Sequence, residues 1–387
     1  VIRGTKGDDV IVSRAGNDII DSLGGSDTIC SGKGPDRVDA GDGGYDVVRS
    51  GGGDDRVRGG PGSGDSIYAG AGDDVVHGGP GRNLLIGGAG SDRVYGGSLY
   101  DNFESPRRER HPARDFYYGR GNRDSFSGDP GNDVINGGEG RDSLSYFYSG
   151  PEVAVEIDLT KGRSIGDGRD DLISIEDVSG TKQADTIIGT DRGEKIFSAS
   201  GNDIVRGLGG NDELLDTAGS DRLYGGGGND RIYTSGCTYM STDGPDGGSE
   251  SIDCQSDPPL HDLVIGGKGD DSIGTGPGAD ELRGGSGSDQ MSGGDGTDSL
   301  SGGEGADWLH GGNAAGSDPD ADDGKRDDLD GGPGTDECGP VTDNRTGCES
   351  VIPPAVSRAM RVAFSSVQGT LRRSVYVFLG SRTITGI

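Results

Sequence analysis

The residues best equipped for chemistry are aspartates that return at a fixed interval. Asp9, Asp18, Asp27 and Asp36 are nine apart, and the interval resumes after single-residue insertions near Gly44 and Gly62 with Asp46, Asp55, Asp65, Asp74 and Asp92. Asn83 holds the place in one copy. Asp124, Asp133 and Asp142 form a short second run. Asp185, Asp203, Asp212, Asp221 and Asp230 form a third, with Glu194 in step. Asp262, Asp271, Asp280, Asp289, Asp298 and Asp307 form a fourth, and Asp327 and Asp336 close the series. Repeated carboxylates among glycine carbonyls offer hard oxygen ligands of flexible geometry, which suit Ca²⁺. Mg²⁺ asks for tighter octahedral geometry, and zinc prefers the His and Cys that this repeat lacks.

Each Asp has a fixed setting. In Gly266-Gly267-Lys268-Gly269-Asp270-Asp271-Ser272-Ile273-Gly274 it holds the sixth of nine places, with Gly at the first, second and fourth and a large apolar residue at the eighth. The glycines permit positive φ and remove Cβ clashes, so the first six places read as a turn. The next three read as a short strand that turns one aliphatic side chain inward. Those inward residues are Ile11, Ile20, Ile29, Val38, Val48, Val57, Ile67, Val76, Leu85 and Val94 in the first run. Ile187, Ile196, Val205, Leu214, Leu223 and Ile232 follow in the third, and Val264, Ile273, Leu282, Met291, Leu300 and Leu309 in the fourth.

One turn and one strand bury nothing alone. Two make a coil, and coils stacked at strand spacing bury a thin apolar ladder between two parallel sheets. The expected fold is therefore all-β, a right-handed parallel β-roll (a β-helix solenoid) of nine-residue half-coils interrupted by loops. In such a stack Asp9 faces Asp27 and Asp18 faces Asp36.

Composition agrees with a repeat and disagrees with an ordinary globule. Of 387 residues 81 are Gly, only 29% are hydrophobic, and the formal net charge is -31. Disorder is the first reading of so polar a chain, but disorder does not place Ile, Leu or Val at every ninth position. Phosphate contacts need Lys and Arg, so nucleic acid is not expected as a partner. Self-repulsion at this charge opposes a compact state. On the order of fifteen divalent ions, one per interior turn pair, would add roughly +30.

The sequence resembles the RTX, or haemolysin-type calcium-binding repeat, family of secreted bacterial proteins. The resemblance implies a β-roll with multiple calcium ions in its turns, disordered without calcium and folding on export. It also implies that the sixth-place aspartates named above are the side-chain ligands. The stretch from Ser174-Ile175-Glu176-Asp177-Val178 to Ala184-Asp185-Thr186-Ile187 resembles the element by which such proteins re-enter the roll. The end from Asp336-Glu337-Cys338 to Cys348-Glu349 resembles secreted Gram-positive members better than one-step-exported toxins.

The expected organisation is a first array over 1–97, an insertion over 98–118, a short array over 119–145 and a strand-containing insertion over 146–180. A third array over 181–233, a Cys-containing insertion over 234–261 and a fourth array over 262–312 follow. An acidic insertion over 313–326, last repeats over 327–352 and a basic cap or truncated domain over 353–387 complete the chain. Alternation of Val153, Val155, Ile157 and Leu159 predicts a half-buried strand. The Arg-rich segment 106–114 reads as a solvated loop.

Cys237 with Cys254, and Cys338 with Cys348, lie close enough in sequence for two local disulfides, with Cys30 left over. That usage points outside the cytoplasm, and isolated free thiols are the alternative reading. The first residue is Val, which reads as a mature or trimmed chain, and no apolar run reaches transmembrane length. No H-E-x-x-H, nucleophile elbow or phosphate loop occurs. His77 and His310 hold ninth places expected to face solvent. The functional expectation is a secreted, non-catalytic, monomeric calcium-binding roll whose biological partner is unknown. The alternative is a calcium-stabilised secretion or stability module of a larger hydrolase or adhesin.

Overall fold

The fold is seen in a computed structural model, which describes residues 1–105, 112–147, 153–166, 168–234, 238–240, 251–253, 261–312, 327–339, 344–348 and 350–351. The described elements are all β-strands, forming a parallel β-solenoid of about 16 turns. None of these residues forms a helix long and apolar enough to cross a membrane.

Strands pair in parallel with a register of one coil. Ile2 pairs with Ile20, Ile20 with Val38, and Val38 with Val57 along one sheet. Ile11 pairs with Ile29, Ile29 with Val48, and Val48 with Ile67 along the other. Every eighth-place aliphatic residue named from the sequence is buried, and together they form one continuous core. Many strands are longer than the expected three residues. Leu263–Lys268 and Leu84–Ala89 run on through the first three places of the next unit.

The glycines split into two classes. Gly267 and Gly269 adopt φ of 121° and 120°, a region that disfavours other residues. First-place glycines do not need positive φ. A Cβ at Gly266 would collide with the Oδ2 of Asp271 in its own unit. The first place is therefore held to Gly by close approach to a carboxylate: of the two expected reasons, relief of a Cβ clash applies there and positive φ does not.

The interruptions are partly absorbed. Asn102–Phe103 pairs with both Leu84–Leu85 and Ser125–Phe126, and Phe116–Gly121 pairs with Arg93–Tyr95 and Val134–Glu139. The solenoid thus reaches into 98–118 from both sides. Phe103 and Phe126 stack in the core, their centroids 4.5 Å apart. Within 146–180, the expected strand shrinks to Glu156–Asp158, with Ile157 buried within it and Val155 buried just before it. Glu156–Asp158, Arg163–Gly166 and Gly168–Ile173 form an antiparallel hairpin set within one 19-stranded sheet. The opposite sheet simply continues, from Ser143–Ser145 to Asp177–Ser179 to Lys195–Ser200.

Cys338 and Cys348 form a disulfide with a Cα–Cα distance of 6.0 Å. Cys338 is fully buried in an eighth-place position, so the bridge is anchored in the apolar ladder. Cys30 is free and half-buried. Cys237, Cys254, Arg107, Arg108, Arg110, His111, 313–326 and the segment 353–387 lie outside the described residues. His310 is buried, with Nδ1 3.0 Å from the Gly312 carbonyl oxygen and its ring stacked on Trp308, against the expectation of solvent exposure. His77 stacks on Tyr95 on the outer face and is half-buried.

Candidate metal centre

The sixth-place carboxylates do two different things with their two oxygens. Oδ1 accepts a hydrogen bond from the backbone N–H of the sixth-place residue one coil earlier. Asp9 donates to Asp27 at 2.8 Å, Asp27 to Asp46 at 2.7 Å, and Asp46 to Asp65 at 3.0 Å. On the other edge Asp18 donates to Asp36 at 2.7 Å, Asp36 to Asp55 at 2.7 Å, and Asp55 to Asp74 at 2.7 Å. The expected facing pairs are therefore in place, joined through the backbone.

The ladders continue across the gaps in sequence. Asp221 donates to Asp262 and Asp230 to Asp271, each across 41 residues. Asp298 donates to Asp327 and Asp307 to Asp336, each across 29. Asp124 donates to Asp142, and Asp185 to Asp203, which donates to Asp221. Asp212, Asp262, Asp271, Asp280 and Asp289 donate in turn to Asp230, Asp280, Asp289, Asp298 and Asp307.

Four ladder members were not foreseen. Asp101 accepts from Asn83 and donates to Asp124; Asp115 accepts from Asp92 and donates to Asp133. Asp170 accepts from Asp133, and Glu176 from Asp142. Glu194 donates to Asp212 and keeps the ladder in step.

Oδ2 is the unused oxygen. It is buried and has no hydrogen-bond partner in Asp27, Asp36, Asp55, Asp74, Asp92, Asp124, Asp133 and Asp142. The same holds in Asp203, Asp212, Asp221, Asp230, Asp271, Asp280, Asp289 and Asp307. A buried charged oxygen without a donor is costly. Its neighbours make the cost worse, because they are oxygens too. A Cβ at Gly293 would lie 2.6 Å from Asp298 Oδ2 and 2.7 Å from the Gly311 carbonyl oxygen, so the glycine leaves a cradle between a carboxylate and a carbonyl of the next coil. Gly207, Gly225, Gly284 and Gly302 leave the same cradle.

Burial pushes the carboxyls of Asp74, Asp46, Asp124, Asp212 and Asp271 up from their ordinary 3.8, and neighbouring carboxylates add to it. Asp74 is pushed up to about 8 by burial first and then by Asp92, Asp55 and Asp54. Asp46, Asp124, Asp212 and Asp271 rise to about 7, in each case chiefly through burial. The sites are thus strongly negative, dry and lined by oxygen, which is the chemistry of a calcium ligand set.

The turn at Asn83 is the exception that defines the rest. Its Oδ1 accepts from Asp65 at 2.9 Å like any ladder member. Its Nδ2 donates to the carbonyls of Gly79 and Gly81 at 3.1 and 3.2 Å and to Asp101 Oδ1 at 2.8 Å. An amide supplies here the positive end that a carboxylate lacks. Where Asp stands instead, that positive end has to come from a proton or a cation.

The RTX calcium-binding nonapeptide repeat pattern matches residues 3–38, 40–65, 62–85, 68–102, 113–145, 206–236, 260–291 and 292–315. The chain belongs to the RTX calcium-binding nonapeptide repeat family. It is a calcium-binding RTX β-roll, and its cofactor is Ca²⁺ in multiple copies. The matched segments omit 146–205, yet ladder bonds of this RTX roll join Asp133 to Asp170 and Asp185 to Asp203 there. No curated protein matches the chain.

A few turns of the RTX roll satisfy Oδ2 internally. Thr5 donates its N–H to Asp9 Oδ2 at 2.6 Å, and Thr181 does the same for Asp185 at 2.5 Å. Ser13 Oγ bonds Asp18 Oδ2, and Thr234 Oγ1 bonds Asp262 Oδ2 at 2.5 Å. Thr190 serves Glu194 in this way.

Proposed function

We propose that this chain is a secreted, non-catalytic roll that folds when calcium enters its turns, and that the ligands are the sixth-place Asp Oδ2 atoms with glycine carbonyls. The observation that carries the reading is the contrast between Asn83 and its Asp neighbours. The amide satisfies the turn carbonyls from within the chain, and the carboxylates leave the same oxygens without a positive partner. Bound calcium supplies that charge. The backbone ladder then holds each Oδ2 in place, and the first-place glycines keep the space beside it free of Cβ.

Calcium uptake and folding are coupled on this reading, because the site exists only when two coils are stacked. Scarce calcium leaves the chain open, and millimolar calcium closes it, which fits folding after export. Turns whose Oδ2 already takes a Thr or Ser hydrogen bond (Asp9, Asp18, Asp185, Asp262) contribute less to ion binding. The Cys338–Cys348 disulfide supports an oxidising location. Metal analysis of the full chain after dialysis against millimolar calcium tests the reading. Many ions per chain are expected, and a chain that retains none would sink it.

A further inference from the structure

Two aspartates stand where the repeat calls for glycine. Asp129 is at the second place of the unit that ends in Asp133, and Asp216 is at the first place of the unit that ends in Asp221. Both are buried, and each brings a third carboxylate to a consecutive pair of the same ladder. In Asp115, Asp129 and Asp133 one oxygen from each carboxylate lies within 4.8 Å of the others, and the same is true of Asp203, Asp216 and Asp221.

The fold makes specific room for both intruders. Beside Asp129, the core position two residues after Asp115 is a tyrosine instead of an aliphatic residue. The Tyr117 hydroxyl lies 3.3 Å from Asp115 Oδ2 and 3.3 Å from Asp129 Oδ2. Beside Asp216, the strand pairing slips at Ala199, which faces Asp216 with a φ of 78°. Ser198 Oγ donates to Asp216 Oδ1 at 2.8 Å.

A second observation points to a ligand. Asp129 is only 8% exposed, and its Oδ1 has no hydrogen-bond partner among the described residues. Oδ2 of Asp133 and of Asp203 are buried without one as well. Carboxylate oxygens this close need either a proton or a cation between them. Calcium sites gain affinity with the number of charged ligands.

We propose that Asp129 and Asp216 convert two ordinary turns into three-carboxylate calcium sites, which hold their ions more tightly than the two-carboxylate turns around them. This rests on the calcium reading above and adds to it an order of filling. The two sites load first as calcium rises and empty last as it falls, and they pin the roll at two separated coils.

The test uses the full chain and its Asp129→Asn, Asp216→Asn and double variants, loaded with calcium and equilibrated against chelators of graded strength. Asp129→Gly and Asp216→Gly serve as second variants, since glycine is the repeat's own residue at those places. Far-ultraviolet circular dichroism at saturating calcium establishes that each variant is folded. In the wild type two ions are expected to outlast the others, one per cluster. Each single variant should lose one of them, with its affinity falling by about tenfold or more, and the double variant should lose both. Variants that keep the same most tightly held ions would overturn the inference alone and leave a shared proton in each cluster. A wild type that takes up no calcium would overturn the parent reading and this one with it.

Discussion

The backbone N–H of Asp65 donates to Oδ1 of Asn83 at 2.9 Å, the same bond that Asp46 gives to Asp65 at 3.0 Å. Ladder geometry is therefore indifferent to Asp or Asn, and only the second side-chain atom differs. Asn83→Asp should add one ion to the loaded chain and weaken the calcium-free chain. The reverse change, Asp271→Asn, should remove one ion and relieve the calcium-free chain of an unpartnered carboxylate, by about 1–3 kcal/mol. Ion counting and chemical denaturation at fixed calcium check both.

The acidity of the calcium-free chain follows from the raised carboxyls. Asp74 at about 8 and Asp46, Asp124, Asp212 and Asp271 at about 7 bind protons more tightly folded than unfolded. Their protonation stabilises the folded state fully below the unfolded value near 3.8, and that stability is lost as pH rises through about 7 to 8. In chelator the roll should keep most β structure near pH 4 and lose it by about pH 8. Circular dichroism against pH, with and without calcium, reads this directly; saturating calcium should flatten the neutral-side loss.

Gly293 and Gly52 make a matched pair for the cradle. A Cβ at Gly293 would press on Asp298 Oδ2 and the Gly311 carbonyl, while one at Gly52 would find its nearest neighbour 3.8 Å away. Gly293→Ala should weaken calcium binding and cost about 1–3 kcal/mol. Gly52→Ala should be neutral or stabilise by about 0.4–1 kcal/mol. Equal effects at the two places would show that the cradle has no role.

The Cys338–Cys348 bridge ties a buried ladder position to the last described strands. Replacing both residues by Ser should lower stability by about 2–4 kcal/mol. Hydrogen exchange should place the loss in the final coils and leave the coils around Val48 unchanged, since each repeat leans only on its neighbours.

The fold and most of the ladder were legible because one period sets everything. Nine residues fix which carboxylates share an edge and which aliphatic side chains meet. Asp101 and Asp115 were hidden because Phe103 and Tyr117 hold the place usually given to Ile, Leu or Val. Asp101 is nothing more than nine residues past Asp92, so the signal was present. Asp170 lies within and Glu176 just after a hairpin that resets the count, and only strand pairing recovers their phase. The sequence offers positive φ and relief of Cβ clashes alike for the first-place glycine, and only the second applies there, because a glycine selected for its small size looks, in sequence, like one selected for its φ. His310 was misplaced because Trp308 covers it, a contact that alternation alone does not predict.

With buried, unpartnered Oδ2 atoms such as those of Asp212, Asp271 and Asp289, the roll should need calcium to stay folded at neutral pH. Far-ultraviolet circular dichroism of the full chain, titrated with calcium from a chelated start at neutral pH, tests it most directly. A steep gain of β signal as calcium reaches the millimolar range is expected. A spectrum and melting curve unchanged between excess chelator and saturating calcium would contradict it.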